Sequence, residues 1–301
     1  RSLHAQQSIR EEGPESHQAK AGTPTMGGAF MMIALVLGVA IFAPWNVGTG
    51  MLLFLTLGHC LLGFFDDFVK AVKKRNLGLT AKQKLLGQFI LAAVFCYCIT
   101  EIMVVPTTLW IPVADVQLQL GWGYYVLAFL IIVGATNAVN LTDGLDGLAS
   151  GTSAVAAIAF SVIGLMAASM TNSIGAESVA YFGAIVAAVC LGFLVYNVNP
   201  AKVFMGDTGS LALGGAFAAM AILTKTELLL VVIGGIFVME ALSVIIQVIS
   251  FKTRGVRVFK MSPIHHHFEL SGWAEQTVVN RFWFAGAVLA VIGVVLATIT
   301  L

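Results

Sequence analysis

Charge is what this sequence has least of. Only 10% of its 301 residues are charged, whereas 58% are hydrophobic, and the mean hydropathy is +0.93. A chain of this length cannot bury so many apolar side chains inside one water-soluble globule. The composition therefore excludes a soluble enzyme or binding domain and predicts a polytopic membrane protein.

Cysteine is also scarce, with four residues that all lie inside apolar runs: Cys60, Cys96, Cys98 and Cys190. Cys96 and Cys98 are two residues apart, which places them on different faces of a helix. We therefore interpret all four as core residues, and we exclude a disulfide framework or a cysteine metal site.

Long hydrophobic runs, in contrast, recur along the whole chain. Roughly 17 to 25 apolar residues in a helix are enough to cross the hydrocarbon core. The sequence predicts an all-α fold with nine spans, at residues 26–45, 49–65, 85–105, 122–139, 148–170, 179–196, 209–224, 228–250 and 282–300.

The basic residues are distributed unevenly between the two sides that these spans define. Of the 16 Lys and Arg residues, only Lys225 lies on one side, which leaves 16 minus 1, or 15, on the other. Enrichment in Lys and Arg marks the cytoplasmic side, so we expect Arg1 inside and Leu301 outside. We expect the loops of the opposite side to carry no comparable polar cluster. The cytoplasmic surface is built from five segments, residues 1–25, 66–84, 140–147, 197–208 and 251–281.

Adjacent acids end the second span. Asp66 and Asp67 could share a hard cation such as Mg²⁺ or take a proton from a phosphate, and Lys70 follows Asp66 by one helical turn. Like charges this close should raise one of the two pKa values, which suits a general base. The alternative is a solvated helix cap with a surface ion pair.

A second acidic pair, Asp143 and Asp146, follows the fourth span and Asn140. If the segment is helical, the spacing of three residues places both carboxylates on one face. Gly144 and Gly147 would let a ligand approach the backbone closely. The alternative is a tight turn, which Asp-Gly sequences commonly form.

The segment from Asn197 to Ser210 precedes the seventh span. Residues 206–210 open that span, so backbone N–H groups at a helix N-terminus would face a bound phosphate. Asp207 could hold the metal of such a phosphate, and Phe204 could stack on a base. An ordinary N-cap formed by Asp207 or Thr208 explains part of this pattern.

The last cytoplasmic segment contains three consecutive histidines, residues 265–267, directly after a proline-stiffened approach. Three successive side chains cannot all point one way, so imidazoles that bind a phosphate are favoured over a three-histidine zinc site.

Glu240 is the one acid deep within a span, in a helix that Gly234 and Gly235 would kink. It could face a polar cavity or pair with Gln247.

Together these segments resemble the phospho-N-acetylmuramoyl-pentapeptide transferase family of the polyprenyl-phosphate N-acetylhexosamine-1-phosphate transferase superfamily. The matching pieces are residues 20–28, 65–70, 140–147, 197–210 and 262–269. They keep the family's order along almost the whole chain. The family is expected to have ten spans, so we expect a single transmembrane transferase domain, residues 1–301, that lacks its first span by N-terminal truncation.

The resemblance implies Mg²⁺-dependent transfer of phospho-MurNAc-pentapeptide from UDP-MurNAc-pentapeptide to undecaprenyl phosphate, which gives lipid I and UMP for peptidoglycan synthesis. It also implies a homodimer in the bilayer of a bacterial inner membrane, with a cytoplasmic active site and no nucleic-acid partner. On this basis we assign catalysis to Asp66, Asp67, Asp207, His265, His266 and His267, with Asp207 as the metal ligand. We assign substrate binding to Lys20, Thr25, Lys70, Lys82, Asn140, Leu141, Asp143, Asp146, Asn197, Phe204, Gly206, Ser210 and Gln247.

Two other functions compete with this interpretation. A sibling transferase would use another UDP-N-acetylhexosamine with the same lipid phosphate. An ion-coupled transporter would also use intramembrane carboxylates, but transporters place them near the bilayer midplane. Here nearly all acids lie at the ends of the spans, which favours an enzyme at the membrane surface.

Overall fold

The computed structural model describes residues 22–73, 77–114, 116–171 and 173–300. In chain order the helices and strands are α1 Gly27–Phe42, α2 Val47–Lys73, α3 Ala81–Glu101, β1 Thr108–Ile111, β2 Val116–Gln119, α4 Gly123–Thr142, α5 Leu148–Thr171, α6 Ile174–Asn197, α7 Gly206–Leu223, α8 Glu227–Ile233, α9 Gly235–Arg254, α10 Ile264–Glu269 and α11 Glu275–Thr300.

The predicted all-α membrane fold is confirmed. Within the described residues, eight helices are long and apolar enough to cross a membrane, namely α2 to α7, α9 and α11. Each of the nine predicted spans contains a helix, but α1 has only 16 residues. At 1.5 Å per residue it reaches about 24 Å, less than the roughly 30 Å of a hydrocarbon core. The expected count of nine is therefore one higher than the described helices support by length.

Two connections differ from an uninterrupted helix or a plain loop. The predicted span 228–250 is divided at Gly234 into α8 and α9, as the glycine pair indicated. Between α3 and α4 the chain forms an antiparallel hairpin, in which β1 pairs with β2 and Thr108 lies opposite Gln119.

Helix α7 is the centre of the bundle. Sixteen of its 18 residues are buried, and it packs mainly against α2 and α4. A Cβ atom added at Gly63 of α2 would lie 2.1 Å from the Asp207 carbonyl oxygen, and one at Gly214 would lie 2.4 Å from the Thr136 Cα. Small residues let helices approach closely where lipid gives no hydrophobic driving force. This contact places the first turn of α7 beside the end of α2.

A second, smaller core lies beside this turn. Leu145 and Leu148 pack there with Ile236 of α9 and with Val278 and Phe282 of α11. The cluster joins the connection between α4 and α5 to α10, which packs against both α9 and α11. We call the end of the bundle that carries Asp66, Asp143, Asp207 and α10 the motif end. The other end carries Lys225 and the hairpin.

Candidate active site

Three carboxylates meet at the motif end. Asp66 and Asp67 lie in the last turns of α2, Asp207 lies in the first turn of α7, and one oxygen from each falls within 4.8 Å of the others. Asp66 is 0% exposed and Asp67 is 6% exposed. A solvated helix cap with a surface ion pair is therefore excluded, and the acids belong to one buried cluster.

Two lysines bridge these carboxylates. Lys70 Nζ lies 2.6 Å from Asp66 Oδ2 and 3.1 Å from Asp207 Oδ2. Lys84 Nζ lies 2.7 Å from the same Asp207 oxygen and 3.2 Å from Asp66 Oδ1. Three carboxylates therefore face two ammonium groups, so the cluster carries an excess of negative charge.

Lys84 is a site residue that the sequence interpretation missed. Lys82, which was assigned instead, is exposed on α3. A signal was present: Thr80 and Gln83 form a capping box that starts α3 at Ala81. The buried face of that helix then runs through Gln88, Ala92, Phe95 and Ile99, and helical spacing extends this face back to position 84.

Asp67 caps α7 from outside the helix. Its Oδ2 accepts hydrogen bonds from the Thr208 backbone N–H at 2.9 Å and the Thr208 hydroxyl at 2.7 Å. Its Oδ1 accepts one from the Asp207 N–H at 3.3 Å. Of the N–H groups of residues 206–210 that were expected to face a bound phosphate, those of Asp207 and Thr208 are already satisfied by this carboxylate of the chain. Gly206 adopts a φ of 73° at this point, and a Cβ there would lie 2.7 Å from Asp67 Oδ2.

Asn140 and Ser210 complete the surroundings of Asp207. The Asn140 side-chain amide donates to Asp207 Oδ1 and to Ser210 Oγ, both at 2.9 Å. The Ser210 hydroxyl donates to the Gly206 carbonyl at 3.0 Å. Asp207 is thus held by an amide on one oxygen and by two lysines on the other, which fixes the orientation of its carboxylate.

The two acids after α4 point to different partners. Residues 143–147 form turns and a bend rather than a helix, so of the two interpretations of the sequence the turn is the one found, and the carboxylates do not share a helical face. The Asp146 carboxylate accepts hydrogen bonds from Asn199 Nδ2 at 3.2 Å and Ala201 N at 2.9 Å. Asp143 instead faces the carboxylate cluster. Burial and the negative charges of Asp207 and Asp67 raise its pKa well above the ordinary 3.8.

Asn197 supports this turn rather than facing outward. It is buried, and its Oδ1 accepts from Ser150 Oγ at 2.8 Å and from Gly147 N at 3.2 Å. Its amide donates to the Val203 carbonyl at 3.0 Å. The following Phe204 is held through its backbone, since its carbonyl accepts from Gly27 N at 2.8 Å, and its side chain is half-buried.

The three histidines have separate surroundings in α10. His265 is fully buried, whereas His266 Nδ1 lies 2.8 Å from Glu269 Oε2. His267 Nδ1 accepts the backbone N–H of Lys260 at 3.1 Å. The His265 and His266 rings are in contact, with centroids 4.1 Å apart, but the Nδ1 atoms of the three histidines face different partners.

Glu240 and Gln247 do not pair with each other, as the sequence had allowed. The Glu240 carboxylate lies 3.1 Å from His265 Nδ1. Gln247 accepts the N–H groups of Val258 and Phe259 at 2.9 Å and donates to the Phe259 carbonyl at 2.9 Å. Its polar atoms hold the segment that leads to α10.

Three remaining assigned residues have less defined places. Lys20 lies outside the described residues. Thr25 is half-buried next to Gly206, with its hydroxyl 3.1 Å from the position that a Cβ would take there. Leu141 is half-buried in the last turn of α4.

A second polar cluster lies at the opposite end, where none was expected. Tyr124 donates from its hydroxyl to Glu227 Oε1 at 2.6 Å. Lys225 donates to that same oxygen and to the tyrosine hydroxyl, both at 2.9 Å, and to the Pro106 carbonyl at 3.2 Å. Sequence position hid this cluster because Tyr124 lies in α4, 101 residues before Lys225.

Comparison with known proteins adds to this geometry. Residues 49–225 match the family model for glycosyl transferase family 4. The chain is 55% identical over 298 residues to the phospho-N-acetylmuramoyl-pentapeptide-transferases of Bacillus pumilus (strain SAFR-032) and Bacillus subtilis (strain 168). It is 56% identical over the same length to that of Bacillus thuringiensis (strain Al Hakam). Each alignment covers 98% of this chain and 90% of the relative.

Proposed function

The chain belongs to the phospho-N-acetylmuramoyl-pentapeptide transferases of glycosyl transferase family 4, and we infer from this membership that it synthesises lipid I. We propose that its substrates are UDP-MurNAc-pentapeptide and undecaprenyl phosphate. The second product is UMP. The near-full coverage of relatives that share this name disfavours a sibling transferase for another sugar nucleotide.

The proposed reaction exchanges one phosphoanhydride bond for another. An oxygen of the lipid phosphate attacks the phosphorus that carries the sugar, and the bond from that phosphorus to the bridging oxygen breaks. UMP leaves with the electron pair of that bond. Such transfers depend mainly on positioning and on stabilisation of negative charge, and a cluster of fixed lysines and carboxylates at the end of a helical bundle suits both tasks.

The carboxylate cluster also fits the magnesium ion that the family resemblance implies. Its donors are carboxylate oxygens close to one another, which Mg²⁺ prefers, and they outnumber the adjacent ammonium groups. Asp207 would be the principal ligand, with Asp66 next to it. When bound, the ion would neutralise charge on the diphosphate and on the leaving UMP.

The remaining residues divide into those that meet substrate and those that hold the site. Lys70 and Lys84 present ammonium groups at the carboxylates, where phosphate oxygens would gather. We propose that Asp66 positions or deprotonates the lipid phosphate. Asp67 is less suited to accept a proton from it, because three hydrogen bonds from the first turn of α7 already occupy its oxygens. Direct attack requires no covalent role from either acid.

We propose that the sugar nucleotide binds on the side of the site that faces away from Asp66 and the two lysines. Asp143, Phe204 and His266 border it, with Phe204 stacking on the uracil and the histidine meeting the diphosphate or the sugar. Because Lys and Arg are concentrated at this end in the sequence, we propose that it faces the cytoplasm of a bacterial cell.

The observation that carries this proposal is the cluster of Asp66, Asp67 and Asp207 bridged by two lysines, in a chain of this family. The test supplies purified protein with undecaprenyl phosphate and Mg²⁺, and with either UDP-MurNAc-pentapeptide or UDP-GlcNAc. We expect UMP release only with the first nucleotide and only when the lipid phosphate is present. UMP release with UDP-GlcNAc alone would instead assign the sibling activity.

A further inference from the structure

The buried pair of Glu240 and His265 has no role in the function proposed above. Both residues are 0% exposed, and Glu240 Oε2 lies 3.1 Å from His265 Nδ1. Glu240 follows the break at Gly234 by less than two turns of α9. Burying a carboxylate is costly unless hydrogen bonds replace the lost water, and the Glu240 oxygens and His265 ring nitrogens have no hydrogen-bond partner among the described residues. A close contact kept without that compensation indicates a specific task for the pair.

The other edge of the His265 ring is closed by the turn between α4 and α5. A Cβ atom added at Gly144 would lie 2.3 Å from His265 Nε2 and 2.7 Å from Cε1. Among the described residues, neither ring nitrogen is exposed to solvent. His265 is therefore enclosed between the Glu240 carboxylate and the Gly144 backbone, and a substrate cannot reach it in this arrangement.

Helix α9 also holds the segment before α10 at a second point. Gln247 lies seven residues after Glu240, two turns further along the same face. It binds the backbone of Val258 and Phe259 on both its oxygen and its nitrogen. The histidine helix is thus fixed to α9 at its start and through the chain that leads into it.

We propose that Glu240 is a positioning residue, which acts through His265 and Gly144 to set α10 against the Asp143 turn. In this arrangement His265 serves as the anchor of the histidine triplet, and the two following histidines are the ones presented to the diphosphate and sugar of the nucleotide substrate. The inference rests on the proposed function, since it assigns a task within that same site. It changes the role of His265 from catalysis to positioning.

The test compares Glu240→Ala, Glu240→Gln and Gly144→Ala, with kcat and both KM values measured for each. We expect Glu240→Ala and Gly144→Ala to raise KM for UDP-MurNAc-pentapeptide by about tenfold or more, because a small displacement of a positioning element is costly. KM for undecaprenyl phosphate should stay within about twofold, because the residues proposed to bind the lipid phosphate lie in α2 and α3 rather than in α10. Glu240→Gln should recover most of the loss, since it keeps the size and shape of the side chain that lies against the imidazole.

Glu227→Gln is the matched control. It alters another buried glutamate, at the opposite end, so it should lower the melting temperature while both KM values stay unchanged. A merely structural role for Glu240 would give the same result as this control. If Glu240→Ala and Glu240→Gln both lower the melting temperature without a selective rise in KM for the nucleotide, the inference is overturned.

A double variant tests the contact itself. If the added methyl group of Gly144→Ala acts by displacing the imidazole, it should cause no further loss in a His265→Ala background. An equal loss in both backgrounds would refute the proposed contact. The result is separable from the proposed function, which fails only if the unaltered protein releases no UMP from the named substrates.

Discussion

The two ends of the bundle each contain a buried cluster of charged side chains, but the charges balance at only one of them. At the opposite end, Lys225 faces Glu227 and the Tyr124 hydroxyl, one cation to one anion. At the motif end, three carboxylates face Lys70 and Lys84. The first cluster joins α4, α8 and the hairpin connection, whereas the second retains uncompensated negative charge.

The comparison shows how a stabilising cluster can be told apart from a functional one at the two ends of a helical bundle. A buried pair that satisfies itself has no demand for an external ion, and the loss of either partner destabilises the fold. A cluster with surplus negative charge would lower its free energy by taking up a cation, which is the role proposed for the three carboxylates. Variants at the two ends should therefore fail in different measurements.

The largest effect is expected for Asp207→Ala. It removes the carboxylate that both lysines and Asn140 address, so we expect turnover to fall by about 10³-fold or more. The residual activity should no longer respond to the concentration of Mg²⁺. UMP release measured over a magnesium titration checks this, and near-normal turnover would remove Asp207 from the metal site.

A smaller loss is expected for Lys84→Ala. Its ammonium group lies 2.7 Å from Asp207 Oδ2, and removal of one such group from a preorganised site typically slows turnover by about 10²-fold. Lys82→Ala is the matched control, because Lys82 has the same charge, lies two residues away and is exposed. It should leave kcat within about twofold. Equal losses for both variants would show that only the local positive charge matters.

The smallest effect on turnover is expected for Glu227→Ala at the opposite end. Its removal leaves the Tyr124 hydroxyl without its acceptor and takes the balancing anion from the half-buried Lys225 ammonium, which should cost about 3 kcal/mol of unfolding free energy. Burial already lowers the pKa of Lys225, and Glu227 opposes that shift. Turnover below the melting temperature should be unchanged. A loss of activity without a loss of thermal stability would contradict the assigned structural role.

Much of this architecture could be predicted because membrane helices are marked by length and composition. The glycine pair indicated the break at Gly234. The lengths of the apolar runs indicated the ends of the spans, where the acids lie. The contact of Lys70 with Asp66 was also predictable, because Lys70 follows Asp66 by one helical turn. Local spacing determines such features, and a sequence displays local spacing directly.

Features set by contacts between distant elements could not be predicted. Asp67 caps a helix that begins 139 residues later, at Gly206, and so occupies two of the N–H groups that were expected to face a phosphate. Glu240 pairs with His265 across a loop rather than with a residue on its own helix. Lys84 required knowledge of which face of α3 turns inward. In each case the partner is chosen by packing of the whole bundle, which no single segment encodes.

The burial of α7 also bears on how the protein is made. Among the helices able to cross a membrane in the described chain, α7 has the lowest mean hydropathy and the largest buried share. Such a segment gains little from contact with lipid, so it partitions into the bilayer at lower cost beside neighbours that shield it. Insertion of the helix that bears Asp207 is thereby tied to the presence of α2 and α4, and a misassembled molecule would lack the charged centre altogether.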